Sequence, residues 1–191
     1  MVLDAEYNQP SRKTIQIGAA IFNARNAACI ERLMIYVNPG EPINPMITDL
    51  TGVRDQDVEN GMSIVDAYEE LKRFHAKHKC FRNPLVWGSG VRNDSQHIYN
   101  EYLQGKGLGE DNSLTTEENF MGFRVLDVKT IYQSVQIFEN SKHGGGLKES
   151  MKRFGIEFEG DDHDALNDAI NTFRFWYHLV RIFHDGTKAK K

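Results

Sequence analysis

The chain has 191 residues, 40% hydrophobic and 26% charged, a balance that suits one folded domain and excludes both wholesale disorder and a membrane span. A net charge of −4 argues against a protein that holds nucleic acid on a broad basic surface, though not against one that grips a few phosphates through metal ions. Cys29 and Cys80 are too few for a disulfide scaffold, and Asp4 and Glu6 interrupt any leader-like start, so the expectation is a cytoplasmic protein with reduced thiols and no membrane partner.

Val2-Leu3-Asp4-Ala5-Glu6 predicts a strand, on which Asp4 and Glu6 share a face because side chains alternate. Two like charges side by side repel. An exposed edge would excuse them cheaply, and a divalent cation would neutralise them. After a polar turn over 7–13, Ile15, Ile17, Ala19 and Ile21 alternate with Gln16 and Gly18 in a second strand. A turn at 23–28 leads to a third strand over 30–37, and three strands on short connections form an antiparallel meander. Asn38-Pro39-Gly40-Glu41-Pro42 breaks that pattern. One or two helical turns fill 45–50 before Thr51-Gly52, and 54–59 makes a further short turn. Ser63, an N-cap with Asp66 three residues on, opens a helix through Ile64, Ala67, Tyr68, Leu71 and Phe74.

Leu85-Val86-Trp87 predicts a short buried strand, and Gly88-Ser89-Gly90 a sharp backbone turn. Asp94 opens a helix with Ile98, Tyr99 and Tyr102 on one side, and the polar, Gly-rich 105–119 reads as a loop. A fifth strand is expected over 123–127, leading into a helix through Ile131, Val135 and Phe138 that Gly144-Gly145-Gly146 stops. A short helix over 147–154 closes at Gly155. In the last helix Leu166, Ala169, Ile170, Phe173, Trp176, Tyr177 and Val180 form one apolar stripe, with Asp161, Asp162 and Asp164 where caps and first-turn acids belong. Asp168 lies inside that helix, beyond the reach of a cap. His163 precedes it by five residues, about 500° of helical rotation, so the two converge only if His163 sits in the loop. A His beside a fixed carboxylate suits a proton acceptor next to a bound metal ion. Lys188, Lys190 and Lys191 read as a basic tail, which gives a domain over 1–182 and a tail over 183–191.

A meander followed by helix–strand units reads as an α/β fold with a mixed sheet, whose sites lie at strand ends beside crossover helices. Asp4, Glu6, Asp94 and Asp168 have a meeting point there. Ordinary readings remain for the rest: His75 and His78 as a solvated helix face, and Trp87 and Trp176 as core.

Asp4-x-Glu6 on the first strand, Asp94 after the fourth, and His163-x4-Asp168 at the last helix resemble the three motifs of the DEDDh 3′→5′ exonucleases. That superfamily includes ribonuclease T, oligoribonuclease and the polymerase proofreading subunits. Ile15-Gln16-Ile17-Gly18-Ala19-Ala20 and Leu50-Thr51-Gly52-Val53 look like its second strand and its Leu-Thr-Gly-Ile segment. Phe154-Gly155-Ile156-Glu157-Phe158-Glu159-Gly160 and Asp168-Ala169-x-Asn171 look most like the branch that trims structured and small RNAs. Each motif alone is weak, and their order and spacing together are strong. There are two departures. Tyr7 stands where Thr is usual, and Val91-Arg92-Asn93-Asp94 replaces an Asn-x-x-hydrophobic-Asp pattern.

The resemblance implies a ribonuclease H-like mixed five-stranded sheet, an antiparallel meander and then parallel strands, flanked by helices. It implies hydrolysis from the 3′ end of RNA or single-stranded DNA, RNA slightly favoured, releasing 5′-mononucleotides with two divalent cations, Mg²⁺ or Mn²⁺. Asp4, Glu6 and Asp168 would hold the first ion, Asp4 would bridge to the second, and Asp94 would act largely through bound water. His163 would be the base, Leu50 and Tyr7 would touch the terminal base, and Lys142, His143 and Lys148 would contact phosphates. Asp127 matches a structural acid of the family. A homodimer is allowed for. The alternatives are a catalytically weak nucleic-acid-end binder of the same fold, a DNA proofreading-type exonuclease, and an unrelated α/β binding module.

Overall fold

The computed structural model describes residues 1–88, 93–108, 119–122, 124–141 and 145–188. Ser89 and Gly90 of the expected turn, positions 109–118 of the expected loop, Phe123, Lys142, His143, Gly144 and tail residues 189–191 lie outside the described residues.

β1 (Val2–Tyr7), β2 (Thr14–Phe22) and β3 (Cys29–Tyr36) form the expected antiparallel meander. β1 then pairs in parallel with β4 (Leu85–Val86), and β4 with β5 (Leu126–Asp127). The sheet order is β3-β2-β1-β4-β5, which places β1 in the middle. β4 and β5 are two residues each, shorter than the sequence pattern predicts. β4 ends one residue early, before Gly88 turns away in the left-handed region at φ 81°. β5 instead joins the sheet late, at Leu126, and ends where expected, at Asp127, the N-cap of the next helix.

The helices are α1 (Pro45–Thr51), α2 (Asp55–Glu59), α3 (Ile64–Lys77), α4 (Asp94–Gly105), α5 (Val128–Phe138), α6 (Leu147–Arg153) and α7 (Ala165–Lys188). Ser63 caps α3 as expected, its Oγ accepting from the Asp66 amide at 3.1 Å. Leu3 and Ala5 of β1 and Ile17, Ala19 and Ile21 of β2 share a core with Tyr68 and Leu71 of α3 and Ile98 and Tyr99 of α4. The opposite face carries Val2 and Ala20, packed with residues of α5, α6 and α7. β2 is therefore buried on both faces, a doubly covered strand inside the sheet.

α7 departs from its expected single stripe. Ala169, Ile170 and Phe173 are buried, but so are Phe175 and Leu179, whereas Val180 is 38% exposed. Phe175 packs tilted or edge-on among Trp87, Tyr132 and Phe154, because α5, α6 and the end of β4 also lie against α7. Burying such a ring contributes about 1.5–3 kcal/mol. α7 continues to Lys188. Among the described residues no helix is long and apolar enough to cross a membrane, and neither cysteine is in a disulfide.

Candidate active site

The site begins with the register of β1 on β2. Asp4 stands opposite Gly18, and Glu6 opposite Gln16, on the face that α7 covers. Gly18 is required there: a Cβ would lie 2.2 Å from the backbone carbon of Ala165 and 2.2 Å from the amide nitrogen of Leu166. A glycine inside a strand marks such a close backbone approach. Gln16 is buried, and its Oε1 accepts the Ala165 amide at 2.9 Å, satisfying one of the first donors of α7. Asp164 takes the Asn167 amide at 2.9 Å. The helix start is thus seated directly on β2, and Asp168 projects from its first turn toward Asp4 and Glu6.

His163 lies in the turn before the helix, as the spacing demands, with a left-handed backbone at φ 63°. Its amide donates to Asp168 Oδ2 at 3.1 Å, which ties the turn to the helix acid. Ligand atoms of Glu6, His163 and Asp168 lie within 4.8 Å of one another. The fourth acid arrives from the other side of β1. Asn93 caps α4 by accepting the Gln96 amide at 3.2 Å, which puts Asp94 at the first helical position. Tyr7 Oη donates to Asp94 Oδ1 at 2.6 Å.

Asp4, Glu6, Asp94, His163 and Asp168 all line one cavity of about 410 Å³. Each acid opens to the cavity over part of its surface and is walled by protein elsewhere, so burial leads every shift. Burial, then the charges of Asp94, Asp168 and Glu6, hold the Asp4 carboxyl well above its usual range. Burial and then Asp168 and Asp94 push Glu6 up to about 8. Asp168 is raised to about 6 by burial, against the pull of the His163 amide. Asp94 is raised to about 6 by burial, against the Tyr7 hydrogen bond and the positive charge of His97 and Arg12. Among the described residues no ion pair reaches any of the four. Crowded hard oxygen donors without a counter-cation fit Mg²⁺ or Mn²⁺.

The structure therefore brings together Asp4, Glu6, Asp94, His163 and Asp168. Leu50 is 49% exposed on α1 and is not part of the cavity wall, and Tyr7 stands behind that wall. Lys148 is in the wall, paired with Asp162 at 3.1 Å and 5.6 Å from the Phe158 ring centre. Asp127 is a cap: its Oδ1 accepts from the Gly88 and Lys129 amides, each at 2.9 Å. His75 and His78 are half-buried instead of solvated, because the chain after α3 and Glu31 of β3 fold against them. His75 contacts the Phe81 carbonyl at 3.3 Å, and His78 pairs with Glu31 at 2.5 Å. Trp87, expected as core, also lines the cavity, as does Phe158. Gln16 and Gly18 are the supports that pattern reading passes over. Their signal is a long polar residue and a glycine, two apart, inside an otherwise apolar strand.

Residues 1–175 match the family model of the RNase_T exonucleases. The chain belongs to that exonuclease family. No curated protein sequence matches the chain. Solved structures do. The nuclease domain of 3′hExo, a DEDDh family member bound to rAMP, is 15% identical with a TM-score of 0.72, over 94% of this chain and 90% of that one. Pop2p of S. pombe, in a form with Mg²⁺ and Mn²⁺ bound, is 20% identical with a TM-score of 0.63, over 91% and 70%. Exonuclease I of E. coli, in complex with a dT13 oligonucleotide, is 17% identical with a TM-score of 0.65, over 95% of this chain but 42% of that one. These likenesses establish the ribonuclease H-like fold of the chain, with the mixed five-stranded sheet expected from its motifs.

Proposed function

We propose that this family member is a metal-dependent 3′→5′ exonuclease that removes 5′-mononucleotides from the 3′ end of RNA or single-stranded DNA. The observation that carries the proposal is the convergence of four carboxylates with raised proton affinity on one cavity, beside His163. Family membership, the rAMP on 3′hExo, the dT13 on Exonuclease I and the ions on Pop2p support it.

Asp4, Glu6 and Asp168 would hold one divalent ion, and Asp4 and Asp94 would hold the second. Two such ions, when bound, offset the charge of a phosphodiester and lower the pKa of a water. His163, exposed at the rim, accepts the proton of the attacking water at a ring nitrogen while its amide stays tied to Asp168. Trp87 and Phe158 present apolar faces to the cavity, where stacking contributes about 1–3 kcal/mol per base. Lys148 exchanges Asp162 for a phosphate, and Leu50 is offered to the terminal base. All five site residues come from one chain, so a homodimer is not needed. A cytoplasmic location belongs to the same reading.

The test uses RNA and DNA oligomers labelled at either end, each with Mg²⁺ or Mn²⁺. A 5′ label should give a ladder that shortens one nucleotide at a time, and EDTA should stop it. Trimming from the 5′ end, or nicking of a circular single strand, would overturn the proposal. Metal and oligomer binding without cleavage would favour an end-binding protein.

A further inference from the structure

Tyr7 is the last residue of β1, and the β1–β2 pairing shifts register between Glu6 and Tyr7. The extra residue is Ile15 on β2, so Tyr7 keeps the alternation of β1 and follows Leu3 and Ala5 onto the face that α4 covers. There its phenol reaches Asp94 Oδ1, 87 positions away in sequence, at 2.6 Å. The ring has little freedom. His97 meets it edge-on with centroids 4.5 Å apart, and the Arg12 guanidinium lies 5.9 Å from its centre. His97 is itself fixed, 2.8 Å from the Arg12 carbonyl and 3.4 Å from Glu101, and Glu101 accepts the Thr14 amide of β2 at 3.0 Å. A chain of contacts therefore runs from the sheet through α4 to one oxygen of a cavity acid.

Tyr7 is not in the cavity wall, and its hydroxyl donates to Asp94. A short bond from a neutral donor fixes the plane of the carboxylate while the acid keeps its charge. We infer that Tyr7 is a positioning residue: it holds Asp94 in the orientation that receives a divalent cation, and so sets the metal affinity of the site. The inference depends on the metal-dependent function proposed for the cavity. Partners one layer behind metal ligands typically matter by about 10–100-fold in affinity or activity.

Tyr7→Phe removes the hydroxyl and keeps the ring, with its His97 and Arg12 contacts. Isothermal titration of the intact chain with Mn²⁺, without oligonucleotide, should show affinity weakened by about 10–100-fold. A cooperative melt like that of the wild type checks the fold. At saturating Mn²⁺ the KM for an oligomer should be unchanged, with most of kcat recovered. In an Asp94→Asn background the same change should have no further effect on Mn²⁺ binding, and this comparison carries the test if Tyr7→Phe alone folds poorly. Wild-type Mn²⁺ affinity in Tyr7→Phe overturns the inference, and a raised KM beside it would make Tyr7 a substrate contact. Weakened Mn²⁺ binding in a chain that cleaves neither RNA nor DNA would uphold the role of Tyr7 and sink the exonuclease reading. A wild type that binds no Mn²⁺ would sink both.

Discussion

One methyl group at position 18 should disturb the site from beneath. In Gly18→Ala the added carbon would lie 2.2 Å from the Ala165 carbonyl carbon and 2.3 Å from its oxygen, where ordinary contact begins at 3.4 Å. The elements must therefore part by about 1.2 Å, and because the opposing atoms are main chain, no rotamer relieves the clash. β2 is paired on both edges and buried on both faces, so the start of α7 is the side that gives. Overpacking of this kind costs about 1–3 kcal/mol. For a chain of this size each kcal/mol lowers Tm by about 2–4 °C, so the melt should fall by roughly 2–12 °C. The functional effect should be larger than the thermal one. Asp168 and His163 ride on the displaced turn, and a misplacement of about 1 Å costs around 10²-fold in rate. Calorimetry paired with single-turnover cleavage of a 5′-labelled oligomer reads both. Ala165→Gly should not rescue, since it removes only a side chain. If Gly18→Ala melts within a degree of wild type and cleaves at the wild-type rate, close seating on β2 is not what places Asp168.

Asp168→Asn should remove repulsion from Asp4 and Glu6, so its metal-free Tm should equal or exceed that of wild type while Mn²⁺ no longer raises it. A large fall in Tm with and without metal would mark a structural acid. Metal-free stability should also depend on pH. Glu6 titrates at about 8 in the fold against an ordinary 4.5, and Asp94 and Asp168 at about 6 against 3.8, so the folded state holds protons that the unfolded chain releases. Stability is then fully present below about pH 4 and is lost as pH rises through 6 to 8, whereas carboxylates stabilised by ion pairs give the opposite slope. Urea melts in EDTA at pH 5, 6, 7 and 8 decide the sign. His163→Ala should lose about 10²–10⁴-fold in rate with Mn²⁺ binding kept. Loss of the metal as well would make His163 a ligand, a role its distance from Glu6 and Asp168 permits.

The meander, the shared face of Asp4 and Glu6 and the loop placement of His163 were legible because each arises from local periodicity. The Ser63 cap was legible for the same reason, whereas Asn93 and Asp127, read as a motif residue and a strand end, are caps only in the structure. What stayed hidden depends on distant partners. The second buried face of α7 could not be read from its own pattern, because Phe175 is covered by Tyr132 and Phe154, residues of other segments. The brevity of β5 follows its partner, because β4 offers it only Leu85 and Val86 to pair with. Tyr7 illustrates the limit most plainly. The resemblance offered its ring to the terminal base, but no local pattern announces the bond of its hydroxyl to an acid 87 positions away.

The pairing of Asp4 with Gly18 and Glu6 with Gln16 has a bearing on which length changes this chain can survive. A slip of one residue between β1 and β2 would turn both acids into the core of Tyr68, Leu71 and Ile98, and bring Leu3 and Ala5 to the cavity. Unpaired carboxylates in that interior would prevent folding, so a misaligned hairpin cannot persist as a stable but inactive protein. Alignment of the site is inherited from alignment of the sheet. Insertions or deletions within either strand should therefore abolish folding and activity together, whereas the β2–β3 turn, closed by the Asn23 amide on the Ala28 carbonyl, can change length without touching that register. Among descendants of such a chain, loops at the far end of the meander are free to diverge in length, and the first two strands are not.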